Sequence, residues 1–270
     1  MATRYKMHVP NIEDFNMEYY FHFEKNQVAA KVFPPHVHNT LEFYVLLDGD
    51  ASFMVEHKLY KLEHGDIIMS RPNEMHNCIL NSLSTHAHLC MYFTPTCELV
   101  FSPFLSGNFG ENNLISPSKE EKTRLYTLYR QLHEATEKSD VRRRFYLTLE
   151  ILDIFSHNVC KTTTAQILPP VLRDILNDVN KNFRQIHSLA YFTEKYYISA
   201  STLSRLFKTY LHTSPKNYLD TKRLACSRTL LKSGYSVTEA AKNAGFPDCS
   251  NYIRLFKRTF GVTPRYYQEH

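Results

Sequence analysis

The chain has 270 residues and a formal net charge of +5, with 43% hydrophobic and 22% charged residues. That composition excludes a disordered or fibrous chain, and the length suits one or two domains with separate hydrophobic cores. No segment is long and apolar enough to read as a transmembrane helix, and the opening MATRYKMHVPNIEDF lacks the apolar core of a secretory signal. A cytoplasmic chain without a membrane partner is expected. Its six cysteines are scattered, with no C-x-x-C pair, and read as reduced thiols.

Charge divides the chain at Pro169-Pro170. Residues 1–169 hold 16 Lys+Arg and 20 Asp+Glu, a net of −4, while residues 170–270 hold 16 and 7, a net of +9. An excess of that size draws a domain toward polyanions, although a solvated basic face without a partner would look the same by charge alone.

The first elements in chain order are strands. β-branched and aromatic runs such as Leu41-Glu-Phe-Tyr-Val-Leu-Leu47 end in turn residues, here Asp48-Gly49-Asp50, and recur about every ten residues, which predicts a sandwich or barrel. Glu42, Tyr44 and Leu46 alternate along one strand and share its inward side. The period then changes. Leu125, Leu128, Leu132 and Ala135 fall at helical spacing, as do Phe145, Leu149, Leu152 and Phe155. These predict helices over 119–137 and 141–158 that pack on the strands or pair two subunits. Arg142-Arg-Arg144 opens the second and reads as solvated or interface charge. His57, His64, His86, His88 and His133 read as surface or satisfied core. Residues 161–169, with the polar run Lys161-Thr-Thr-Thr-Ala-Gln166, read as a linker.

Beyond it everything reads helical and contains a repeat. Ser201-Thr-Leu-Ser-Arg-Leu-Phe-Lys208 overlays Ser250-Asn-Tyr-Ile-Arg-Leu-Phe-Lys257 at an offset of 49, and the same offset lays Ser214-Pro215 over Thr263-Pro264. Each copy reads as helix, tight turn, helix. Ser199 and Asp248 cap the second helices, and Gly245 supplies a positive φ. Leu203, Leu206, Phe207 and Tyr210 are expected inward in the first copy, and Tyr252, Leu255, Phe256 and Thr259 in the second. Ser201, Ser204, Arg205 and Lys208 face out, as do Ser250, Ile253, Arg254 and Lys257. Small residues allow close approach to a groove, and Arg matches guanine O6/N7. An ordinary amphipathic surface helix would explain either copy alone. Two copies with Arg in register, in a domain of net +9, point to a doubled helix-turn-helix.

Residues 171–270 resemble the DNA-binding domain of the AraC/XylS family of bacterial transcription regulators. The resemblance rests on Leu203-Ser-Arg-Leu-Phe-Lys208, Arg223-Leu224, Gly245-Phe246, Ser250-Asn-Tyr-Ile-Arg-Leu-Phe-Lys257 and Phe260-Gly-Val-Thr-Pro264. It implies two helix-turn-helix units joined by a helix over about Pro215–Lys232. Ser201, Ser204 and Arg205 would then face bases from the first unit, and Ser250, Asn251, Ile253 and Arg254 from the second, with Lys208 and Lys257 also on DNA. Two positions depart from the family: Tyr197 and His212 stand where glycine is usual.

In the front half, His36-Val-His38, Glu42 and Gly49 have a spacing that resembles the first cupin motif, and Gly65-Asp66, Pro72 and His76 resemble the second. Three imidazoles and a carboxylate suit a divalent metal. The fusion to a basic half favours instead a metal-free effector pocket of His36, His38, Glu42, Tyr44 and His76. The expected fold is thus α+β in two domains: a cupin-like barrel with a helical dimerisation segment (1–160), the linker 161–169, and an all-α DNA-binding domain (170–270). The expected function is sequence-specific transcriptional regulation in response to a small molecule, a sugar bound through its hydroxyls or an acid through its carboxylate, without catalysis, cofactor or metal. The partners are promoter DNA, the effector, a second copy in a homodimer and, for an activator, RNA polymerase. The alternative is a cupin metalloenzyme with a basic helical appendage.

Overall fold

A computed structural model gives the fold and describes residues 4–8, 15–28, 35–82, 84–95, 97–159, 168–211 and 213–269. Contacts divide the chain into two compact units, residues 1–33 with 39–166, and residues 167–270 with the short segment 34–38. Most of the polar run 161–169 and His212 lie outside the described residues.

The first unit begins with β1 (Arg4–His8), β2 (Phe15–Val28), β3 (Leu41–Asp48), β4 (Ala51–Val55), β5 (Lys58–Lys61), β6 (Ile67–Ser70), β7 (His76–Leu80) and β8 (Ser84–Pro95). It continues with α1 (Glu98–Leu105), β9 (Leu114–Ile115), α2 (Lys119–Glu137) and α3 (Val141–His157). One sheet has the order β1-β2-β8-β3-β6-β9 and the other β5-β4-β7. No strand pairing joins them among the described residues, so the expected barrel is an open sandwich. The large sheet is covered on both faces. Leu41, Phe43 and Val45 pack with α1, α2 and α3 in one core. Tyr44 and Leu46 turn the other way, toward Phe53, Val55 and Cys78 of the small sheet. Burial on both sides explains why β3 reads as a nearly unbroken apolar run.

The helices are fixed by local chemistry. Ser118 and Glu121 close a capping box at α2, and Asp140 caps α3 through the Arg143 amide. Arg144 departs from the solvated reading of its run. It is buried, donates to the Lys6 carbonyl at 2.9 Å and lies over the Tyr19 ring. Its position, one turn into α3, puts it on the sheet-facing side while Arg142 and Arg143 stay exposed.

The second unit contains α4 (Pro170–Asn182), α5 (Ala190–Lys195), α6 (Ala200–Leu211), α7 (Pro215–Lys232), α8 (Val237–Asn243), α9 (Cys249–Phe260) and α10 (Pro264–Glu269). The copies are α5–α6 and α8–α9, with α7 between them. Leu203, Phe207, Tyr252 and Phe256 are buried as expected, but Tyr210 and Thr259 are exposed. Leu211 is buried and Phe260 half-buried, each four residues after its buried Phe, so each helix keeps its inward stripe one residue further on.

Both copies turn in the same way. Ile198 N–H donates to the Thr193 carbonyl and Phe246 N–H to the Ala241 carbonyl, each spanning five residues. That is the long bond of a Schellman motif, which needs a left-handed residue just before the donor. Gly245 supplies it at φ +89°, and Tyr197 supplies it at φ +51°. The second turn is longer by one residue before its cap, the position of Pro247. Tyr197 is 94% exposed, so its ring repays little of the left-handed strain. Tyr197→Gly is expected to raise the unfolding free energy by up to about 1 kcal/mol. A urea titration checks this, and a clear destabilisation would show that the ring holds the turn.

Candidate nucleic-acid interface and sensor site

The outward faces of α6 and α9 are set by the caps and the buried stripe. Ser199 Oγ accepts from the Thr202 amide at 3.1 Å, and Asp248 accepts from the Ser250 and Asn251 amides at 2.9 and 3.2 Å. With one side of each helix buried, the other faces solvent. Ser201, Ser204, Arg205 and Lys208 are exposed on α6, and Ser250, Ile253, Arg254 and Lys257 on α9, while Asn251 is half-buried. Arg254 donates to Asn251 Oδ1 at 3.2 Å, which restrains its guanidinium. The Ser201 hydroxyl is shared with Ser199 at 2.8 Å. An exposed helix face has the dimensions of a DNA major groove, and a guanidinium offers a two-pronged donor edge.

In the first unit, the sandwich interior brings together three of its β-strands' inward rows. Glu42 on β3 lies opposite Tyr92, and Tyr44 opposite Cys90, on β8. Glu42 pairs with His76 Nε2 at 2.9 Å, and His76 Nδ1 lies 2.8 Å from the Glu74 carbonyl. Burial opposes a charge on His76, but the Glu42 carboxylate and the Glu74 carbonyl outweigh it, so its pKa lies above the usual histidine value. The Tyr44 hydroxyl lies 3.1 Å from His86 Nε2 and accepts from Cys78 Sγ at 3.5 Å. His86 Nε2 in turn lies 3.0 Å from His88 Nδ1. Burial, with His86 and His22 alongside, pushes the His88 pKa down to about 3. Burial also pushes the Cys78 thiol up to about 11 and keeps the Tyr44 phenol protonated. The row therefore contains the Glu42–His76 pair, with His88, Cys78 and Tyr44 uncharged beside it. His36, exposed, and His38, half-buried, lie in the segment 34–38 and have ring centroids 6.1 Å apart.

Comparison with known proteins supplies the family. Residues 20–144 match the AraC-like ligand binding domain and residues 192–270 a helix-turn-helix domain. The chain belongs to the AraC family of transcriptional regulators. It is similar to the uncharacterized HTH-type transcriptional regulator YdiP of Escherichia coli, with 25% identity over 86% of this chain and 80% of the relative. It is also similar to the HTH-type transcriptional activator RhaS of Escherichia fergusonii, with 24% identity over 86% of each chain. A crystal structure of ToxT from Vibrio cholerae, bound to (E)-4-(8-methylnaphthalen-1-yl)but-3-enoic acid, aligns over 95% of this chain and 98% of its own at 14% identity, with a TM-score of only 0.38.

As an AraC-family regulator the protein pairs a ligand-binding domain with a DNA-binding one. Within the first unit, Glu42, Tyr44 and His76 line the interior. His86 and His88, read from sequence as surface or satisfied core, are buried in the same row as Tyr44. The signal was available: His86, His88, Cys90 and Tyr92 recur every second residue, so one inward member brings in the rest.

Proposed function

We propose that α6 and α9 read promoter DNA through Arg205 and Arg254, and that the sensor interior binds a neutral, hydroxyl-rich small molecule such as a sugar. The matched arginines on two exposed, capped helices carry the first half of the reading. Ser201, Ser204, Ser250, Asn251 and Ile253 flank them at the bases, and Lys208 and Lys257 meet phosphate. Residues 1–160 act as sensor and dimerisation domain, 161–169 as linker and 170–270 as the DNA-binding domain. The protein works as a homodimer on cytoplasmic DNA, with RNA polymerase as a further partner when it activates, and performs no catalysis. No described helix is long and apolar enough to cross a membrane.

The sensor reading rests on the buried Glu42, Tyr44 and His76, with Glu42 2.9 Å from His76 Nε2, and assigns His36 and His38 to effector binding as well. A carboxylate ligand would meet the Glu42 charge, whereas hydroxyls find neutral imidazole and phenol partners. Glu42→Gln keeps the size and removes the charge. It is expected to shrink the rise in melting temperature given by a stabilising sugar, measured from the variant's own baseline, while DNA retention without effector stays normal. A full ligand shift in Glu42→Gln would remove Glu42 from the site. The metalloenzyme alternative has its own outcome. Near one equivalent of Fe, Mn, Ni, Zn or Cu in untagged protein, with a melting point lowered by chelator, would overturn the metal-free site.

A further inference from the structure

The second unit contains a polar notch outside the outward faces of α6 and α9. Its cavity is about 260 Å³ and lies between the first turns of α7 and one side of α9. Lys216, Asn217 and Asp220 line it from α7, and Asn251, Arg254 and Arg258 from α9. Positions 251, 254 and 258 form one helical stripe, adjacent to the stripe of Ser250, Ile253 and Lys257. Arg254 therefore borders both surfaces. We propose that this notch seats a backbone phosphate of the DNA whose bases α9 reads, a proposal that rests on the DNA-binding reading above.

Charge, shape and position all favour a phosphodiester. Three cations and one carboxylate line the notch, so its walls remain net positive. Asp220 is held by Lys216 at 2.8 Å, and the Arg223 guanidinium lies 3.9 Å from its other oxygen. The carboxylate is thereby occupied from two sides. Lys216 is mostly exposed while Asp220 is largely buried, and an ammonium with three donors can serve the carboxylate and an added anion together. Asn217 adds a neutral amide, which serves a phosphate oxygen without adding charge. A phosphate clamped between α7 and α9 would fix how deep α9 enters the groove, because backbone contacts set register and base contacts read sequence. Neither Lys216 nor Arg258 belongs to the repeat-derived set of DNA contacts. Lys216 sits at the start of the joining helix, and Arg258 is one residue past the shared Arg-Leu-Phe-Lys motif.

The test uses the full chain and two duplexes of unrelated sequence, measured across a salt series. Arg258→Gln removes an exposed charge and should leave the melting point unchanged, while Lys216→Gln takes a partner from the largely buried Asp220 and is measured well below its own melting point. Each is expected to weaken both duplexes by the same factor. Each is also expected to flatten the slope of log K against log salt, and the double variant by about 0.9 in all, the share of the one phosphate the notch seats. Lys181→Gln, on α4, serves as a control for lost net charge and should leave the slope unchanged. Slopes in the notch variants equal to wild type would overturn the proposal, as would an equal flattening in Lys181→Gln. Inorganic phosphate separates a DNA site from a site for free anions. Phosphate raising the melting point of wild type, but not of the double variant, together with unaltered DNA slopes, would assign the notch to a free anion instead. Failure of wild-type protein to bind either duplex at low salt would strike the DNA-binding reading itself.

Discussion

Gly245→Ala is expected to destabilise the second helix-turn-helix unit by about 2–4 kcal/mol. Two costs combine. The residue sits at φ +89°, where an L side chain is strained. A Cβ there would also lie 2.6 Å from the Arg184 carbonyl oxygen and 2.7 Å from its Cα. Backbone cannot swing aside as the end of a flexible side chain can, so the turn or the segment after α4 must move. Gly261 provides the contrast. Its φ of +77° is similar, but nothing lies within 4 Å of an added Cβ. Gly261→Ala therefore meets only the conformational cost, about 1 kcal/mol. Urea unfolding of the full chain, followed in both variants, separates clash from strain. Equal losses would mean that the contact with Arg184 has no energetic weight.

That contrast also marks what the sequence could and could not disclose. Gly245 and Tyr197 were legible as turn positions because the Schellman turn needs a left-handed residue, and that need is local. The closeness of Gly245 to Arg184 is not local, and nothing within the repeat signals it. The same division runs through the sensor. The helices 119–137 and 141–158 were legible because one apolar stripe per helix survives in the pattern. Arg144 was hidden because a triple-arginine run looks the same whether or not its third member turns inward to a carbonyl. His86 and His88 were obscured for another reason. Histidine carries no fixed polarity in a hydropathy pattern, so period-2 alternation through Thr85-His-Ala-His-Leu-Cys90 is easily missed. Two separate sheets in place of one closed barrel also follow from pairing between distant strands, and the strand pattern alone does not fix which edges meet.

The remaining large effect concerns sequence reading by the two exposed arginines. Arg205→Ala and Arg254→Ala are each expected to cost about 1–3 kcal/mol at a duplex selected from a random pool, roughly 5- to 150-fold in affinity. Each should also relax the preference at a single base pair, since a bidentate guanine contact discriminates at one position. The two relaxed positions should lie about one helical turn of DNA apart, as two recognition helices in successive major-groove turns require. Lys208→Ala should behave differently, weakening all duplexes about equally and leaving the preferred sequence intact. Arg254 carries an added consequence. Its guanidinium is restrained by Asn251 Oδ1 at 3.2 Å, so Asn251→Ala should loosen the same base preference as Arg254→Ala, to a smaller degree. Arg205→Ser or Arg254→Ser would not isolate this effect, because a new hydroxyl could contact a base itself. Alanine does. If both arginine variants lose affinity uniformly across sequences, with the selected motif unchanged, then Arg205 and Arg254 lie on phosphate, and base reading must pass to the serines and Ile253 beside them.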